Sequence, residues 1–162
     1  MTSIEEAARR ADSADLDVVE ALFEAAVEEL EPRRGGYIWA RREGRSRPAG
    51  PGFEHDLADD SHFLVVGTID GVVVGYAAIR RTPLHDGSEL AVLTDVYVLA
   101  GARGVGVGEA MLDLCLAWAE AAGCIGVDSL ALPGDRETKN FFESFGLVAR
   151  AIIVHRSLGD AG

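Results

Sequence analysis

Apolar residues recur at Leu16, Val19, Leu22, Phe23 and Ala26, the spacing of one helix face. Asp12 or Ser13 can cap that run and Pro32 stops it, which predicts a helix. The stretch from Arg33 to Asp60 carries Pro48, Pro51 and several glycines, and it predicts a short second helix followed by a loop. Two β-branched runs, Phe63 to Ile69 and Val72 to Ile79, then flank Asp70-Gly71, the dipeptide of a tight hairpin. "ELAVLTDVYVL" predicts a third strand, and a glycine-rich loop leads into a helix reaching about Ala122. Met111, Leu112, Cys115, Trp118 and Ala119 form the apolar stripe of that helix. "VDSLAL" predicts another strand, "DRETKNFFESF" a short helix ending at Gly146, and "LVARAIIVHRSL" a last strand. This order predicts one α/β domain over residues 1–162, built on a mixed sheet.

Composition narrows the function classes. Cys115 and Cys124 have neither metal-ligand spacing nor a disulfide framework, and His55, His62, His85 and His155 are scattered, so no metal site is expected. The net charge of −12 argues against nucleic acid as a partner. No apolar run is long enough for a membrane span, and the N-terminus lacks the apolar core of a secretory signal. A cytoplasmic protein is expected. Against the acidic total, Arg33 to Arg47 holds six arginines and one acid, Glu43, and reads as either a solvated basic loop or a flap that contacts an anion.

The segment Gly101 to Leu112, "GARGVGVGEAML", needs a reason for its glycines, because each costs conformational entropy. Gly104, Gly106 and Gly108 are spaced G-x-G-x-G, which fails the dinucleotide fingerprint G-x-G-x-x-G. No Lys-Ser or Lys-Thr follows them, so a Walker loop fails too. A diphosphate cradle remains sensible: amides at a helix start are unpaired, the helix dipole favours negative charge there, and Arg103 adds a cation.

Arg103-Gly104-Val105-Gly106-Val107-Gly108 resembles the Arg/Gln-x-x-Gly-x-Gly/Ala pyrophosphate loop of the GNAT superfamily of acyl-CoA-dependent N-acetyltransferases. "DGVVVGYAAI" is similar to the family's central hairpin, with Gly75 in its usual place, and "DRETKNFFESFGLVAR" to its later helix. The resemblance spans about residues 8–158. It implies a mixed, mostly antiparallel central sheet flanked by helices and splayed at the acetyl-CoA site. It further implies that amides from Gly104 to Glu109 bind the coenzyme pyrophosphate. Main-chain groups of Val96, Tyr97 and Val98 would pair with the pantetheine arm, the amide near Val98 polarising the thioester carbonyl. Asp135 stands at the family's asparagine and counts with the coenzyme-binding residues. Phe142 stands at the family's tyrosine, often the acid that protonates the departing thiolate, and has no proton to give.

The implied reaction is acetyl transfer from acetyl-CoA to a primary amine of a small molecule by direct attack. Asp95 and Glu89, on the strand beside the thioester, are the carboxylates expected to take the amine's proton. Strand alternation groups Leu93, Asp95 and Tyr97 on one face and Thr94, Val96 and Val98 on the other, unless a bulge intervenes. Two other readings stay open: a non-catalytic acyl-CoA-binding regulatory module, and an acetyltransferase acting on protein N-termini or lysines. Small soluble enzymes often form symmetric pairs, so a homodimer stays open.

Overall fold

The computed structural model describes residues 3–159. Five strands form one sheet in the order β1 (Glu6–Arg10), β2 (His62–Ile69), β3 (Val72–Pro83), β4 (Glu89–Val98) and β5 (Val127–Asp128). The first four pair antiparallel and β5 runs parallel to β4. One face carries α1 (Leu16–Leu30), α2 (Gly36–Arg41) and α3 (Gly50–Ala58); the other carries α4 (Val107–Ala121) and α5 (Arg136–Ser144). None of the described helices is long and apolar enough to cross a membrane.

Local chemistry accounts for most of these elements. A capping box precedes α1: Ala14 N donates to Asp12 Oδ1, and Asp12 N donates to Asp15 Oδ2, both at 2.9 Å. The β2–β3 hairpin turns on Asp70 and Gly71 with φ of 49° and 81°, the left-handed pair that its sequence predicts. Val19, Phe23, Phe53, Leu64, Val66 and Tyr76 fill the core beneath α1 and α3. Val65, Ala77, Ile79, Leu93, Met111, Leu112 and Cys115 fill the core beneath α4. Gly67 and Gly75 are register partners on β2 and β3, and α4 lies over them.

Three differences from the sequence reading matter. The segment Glu6–Arg10 is a strand, although its residues, Glu-Ala-Ala-Arg-Arg, have little strand preference. Pairing with the apolar β2 creates it. The strand predicted from "VDSLAL" pairs only at Val127 and Asp128, after which the chain leaves β4. The strand predicted from "LVARAIIVHRSL" is not formed: Leu147 to Leu158 holds no regular element.

Candidate functional site

The splay between β4 and β5 opens a cavity. Ala91 pairs with Val127 and Val92 with Asp128, and Ser129 Oγ donates to the Leu93 carbonyl at 3.0 Å. Beyond that point the two segments part. β3 continues to pair with β4 as far as Val98, so the opposite edge of β4 from Thr94 to Val98 faces open space. The cavity holds about 480 Å³, with Val96, Tyr97 and Val98 on one wall and Ser129, Leu130 and Leu132 on the other. That volume is the size of a small-molecule site.

The glycine loop closes one end. Gly104 and Gly106 have φ of 85° and 98°, a region that residues with a Cβ rarely enter, and Gly106 is the N-cap of α4. The first intrahelical bond there runs from Ala110 N to Gly106 O at 3.0 Å, so the amides of Val107, Gly108 and Glu109 precede it and have no carbonyl in the helix. Gly104, Val107, Gly108 and Glu109 line the cavity. Loop amides, helix dipole and open β4 edge therefore meet in one space, a geometry suited to an anion joined to an extended arm.

Arg103 is placed differently from a free loop cation. Its Nη1 and Nη2 donate to Glu29 of α1 at 2.9 and 2.8 Å, and its Nε donates to the Val98 carbonyl at 2.8 Å. The hydrogen-bonded guanidinium lowers the Glu29 pKa below the usual carboxylate range. Glu29 also faces Arg33 at 3.5 Å, and Arg33 reaches Asp135 at 3.2 Å, so a charged chain links α1 to the start of α5. Asp135 caps α5, its carboxylate accepting from Thr138 N and Oγ1. Tyr97 lines the same space, its pKa raised by burial and by the neighbouring Glu29 carboxylate.

Asp95 sits deeper. The β3–β4 register slips between Ala78–Asp95 and Ile79–Leu93, which leaves Thr94 as a bulge. The bulge reverses the facing: Leu93, Val96 and Val98 pack towards α4, whereas Asp95 and Tyr97 turn to the α1–α3 side. Unbroken alternation would have kept Leu93 with Asp95. The Asp95 carboxylate accepts from Arg45 Nε at 3.1 Å and Nη2 at 3.0 Å, from the Tyr76 hydroxyl at 2.9 Å and from Thr94 Oγ1 at 2.6 Å. Arg45 also donates to Asp56 at 2.7 Å and lies over the Phe53 ring at 4.0 Å. Burial alone would lower the Arg45 pKa; the Asp95 and Asp56 carboxylates overcome it and raise it. Burial pushes the Tyr76 hydroxyl well above its ordinary value.

Asp95, Val96, Tyr97, Val98, Arg103, Gly104, Val107, Gly108, Glu109 and Asp135 all line the cavity. Val105 and Gly106 do not line it, and neither does Glu89. Glu89 lies at the far end of β4, facing Arg81 at 3.6 Å, about 20 Å of strand from Asp95. Phe142 packs into the core against α4, and the cavity wall there is Asn140, Phe141 and Ser144. Within the basic segment Arg33, Arg41, Arg45 and Arg47 pair with Asp135, Glu31, Asp95 and Glu24. All of these but Arg45 are exposed, and Arg33 lines the cavity. Sequence reasoning missed Glu29 and Arg45 as parts of the site, since nothing local marks residues whose partners lie 74 and 50 positions away. Scattered in sequence, His55 and His62 nevertheless converge on Asp59 at 3.4 and 3.5 Å, outside the cavity.

Comparisons with known proteins agree with this geometry. Aminoglycoside acetyltransferase AAC(6′)-Iy, in complex with the bisubstrate analog CoA-S-monomethyl-acetylneamine, superimposes with a TM-score of 0.71 at 19% identity, over 96% of this chain and 99% of that one. A ribosomal-protein-alanine N-acetyltransferase from Brucella melitensis biovar Abortus 2308 gives 0.66 at 18%, over 97% and 100%. A transcriptional regulator from Bacillus halodurans C-125 gives 0.69 at 22%, over 95% and 100%. No curated protein sequence matches the chain. The model of the Acetyltransferase (GNAT) family matches residues 20–147, and with the splayed sheet and glycine-capped α4 in place the chain belongs to that family.

Proposed function

We propose that this chain transfers an acetyl group from acetyl-CoA to a primary amine of a small molecule by direct attack. The observation that carries the reading is the meeting, in one cavity, of the free β4 edge and the glycine-capped start of α4. The amides of Gly104 to Glu109 would take the pyrophosphate, with Val105 at the outer turn of the loop, and the β4 edge from Val96 to Val98 the pantetheine arm. The amide near Val98 would draw the thioester carbonyl oxygen and stabilise the charge that develops there.

In this reading the neutral amine nitrogen bonds to the thioester carbon, the carbon–sulfur bond breaks, the thiolate leaves and the new amide nitrogen gives its extra proton to solvent. An alkyl thiol with a pKa of about 8.5 departs without an obligatory acid, which fits a cavity wall formed there by Phe141, with Phe142 turned into the core. Tyr97, whose hydroxyl pKa is raised by burial and by Glu29, is a hydroxyl donor in the cavity wall. The ammonium must first lose its proton, and Asp95 is the carboxylate we assign to draw and deprotonate it; Glu89 is too distant to take part. Burial pushes the Cys115 thiol up to about 12, so it offers no nucleophile for a covalent route. The Arg33–Asp135 bridge narrows the space between α1 and α5, which favours a small acceptor over an extended peptide. Aminoglycoside acetyltransferases among the structural neighbours support a small cationic amine.

Calorimetric titration with acetyl-CoA, beside NADH and ATP, tests the first half, and thiol release over a panel of amines tests the second. Micromolar binding of acetyl-CoA alone is expected. Binding without thiol release for any amine would favour a regulatory acyl-CoA-binding module, and no binding by folded protein would end the proposal.

A further inference from the structure

His55, Asp59 and His62 come together where α3 ends and β2 begins. His55 and Asp59 are four residues apart, so the end of the helix brings them to one face. The turn from Asp59 to His62 then swings a second imidazole back over the same carboxylate. The pattern is His-x-x-x-Asp-x-x-His, in which the two histidines lack helical spacing, so histidine spacing alone does not reveal it.

The Asp59 carboxylate is divided between two tasks. Its Oδ1 accepts from Ser61 N at 2.8 Å and from Ser61 Oγ at 2.7 Å, which leaves Oδ2 turned to the rings. His55 Nε2 stands 3.4 Å and His62 Nδ1 3.5 Å from that oxygen. A tetrahedral ion with bonds of about 2.0–2.1 Å holds its ligands about 3.3 Å apart, so both separations already match a metal's ligand edges. All three ligand atoms lie within 4.8 Å of one another, and the exposed His55 ring closes the third edge by turning.

The turn is braced, and so is the second imidazole. His62 N donates to the Asp59 carbonyl at 3.0 Å, and Arg81 N of β3 donates to the Ser61 carbonyl at 3.0 Å. Ser61 Oγ, 3.1 Å from His62 Nδ1, has given its proton to Asp59 and does not compete for the Nδ1 lone pair. The far nitrogen of the ring, Nε2, faces Asp56 Oδ1 at 3.8 Å. A carboxylate behind an imidazole keeps the proton on that side and turns the other nitrogen's lone pair to a metal. The negative end of the α3 dipole adds to the attraction for a cation.

We infer that His55, Asp59 and His62 bind one divalent transition-metal ion such as Zn(II), with water completing the tetrahedron. Two imidazoles and one carboxylate suit zinc and its neighbours, whereas magnesium and calcium take oxygen ligands. The three residues lie outside the cavity, so the ion ties the end of α3 to the start of β2 and takes no part in acetyl transfer. Asp56 extends its reach: the other oxygen of that carboxylate holds Arg45, which in turn holds Asp95 in the cavity wall.

Calorimetric titration of the tag-free, chelator-stripped full chain with Zn(II) tests this and needs neither coenzyme nor amine. Its failure is therefore separate from failure of the acetyl-transfer reading. The expected result is one ion per chain in the micromolar range, with no binding of Mg(II). The melting temperature should rise by about 5–10 °C at an ion concentration about 100 times Kd. His55→Ala, at an exposed position, should keep the native melting temperature without metal and weaken Zn(II) binding by about tenfold or more. Asp59→Asn should weaken it as well; if that variant does not fold, His55→Ala decides. Zn(II) held equally by His55→Ala would place the ion elsewhere and overturn the inference. Binding that does not saturate below millimolar, or equal binding of Mg(II), overturns it too.

Discussion

Arg103 and Glu29, 74 residues apart in sequence, form a two-pronged ion pair that fastens α1 to the end of β4 just where the coenzyme arm would lie. Neither side chain is fully buried, and the third donor of Arg103 is spent on the Val98 carbonyl. Arg103→Ala should lower stability by about 1–3 kcal/mol and weaken acetyl-CoA binding about tenfold. Glu29→Gln should cost stability too, yet leave binding equal or tighter, because it frees a cation and removes an anion from the cavity. Loss of binding in both variants would mean that the pair only shapes the fold. The pH dependence has a definite sign. The folded Glu29 pKa lies below its ordinary 4.5, so the pair's contribution is complete above that value and disappears as pH falls through the lowered one. Thermal melts of the native chain and Arg103→Ala should therefore converge in acid.

Gly106 has φ of 98° and caps α4, and a Cβ there would also come within 3.3 Å of the Glu6 side chain. Gly106→Asp adds backbone strain and a negative charge where the pyrophosphate is proposed to sit. Acetyl-CoA affinity should fall below detection in calorimetry while circular dichroism remains native. Unchanged affinity would remove the loop assignment.

Gly67 shows how closely α4 approaches the sheet. A Cβ at Gly67 would stand 2.9 Å from Met111 Sδ and closer still to Val107, the first residue of the helix. Gly67→Ala should destabilise the fold by about 1–3 kcal/mol, with the displaced first turn of α4 also weakening acetyl-CoA binding. Denaturant melts and titration of one sample measure both. A variant as stable as the native chain would show that α4 tolerates a shift.

How much of this was legible in sequence depended on the range of the cause. The hairpin at Asp70-Gly71, the Asp12 cap on the short turn that leads into α1 and the glycine-capped α4 are written in neighbouring residues. β1 was not legible, because Glu6–Arg10 becomes a strand only against β2. Asp95 was found but its surroundings were not, since Arg45 and Tyr76 come from distant segments and the bulge at Thr94 has no local signature. The arginines from 33 to 47 looked like one basic surface because sequence cannot display the distant acids that four of them meet. The final strand fails for the opposite reason: its residues carry a strand pattern, but Leu147 to Leu158 pair with no strand of the sheet.

Asp95 is both an anchor and the proposed base, and the two roles separate by pH. Asp95→Asn keeps the shape and most hydrogen bonds but leaves Arg45 with only Asp56 as a charged partner, so some stability should be lost. If Asp95 also deprotonates the acceptor, the acetylation rate at neutral pH should drop by about 10²–10⁴-fold. The remaining rate should then climb about tenfold per pH unit towards the amine's own pKa near about 10, because neutral amine must now come from solution. Thiol release measured from pH 6 to 10, beside melting temperatures at each pH, distinguishes the cases. A variant that loses stability yet keeps the native pH–rate profile would assign Asp95 to holding β4 in place and leave the proton to water.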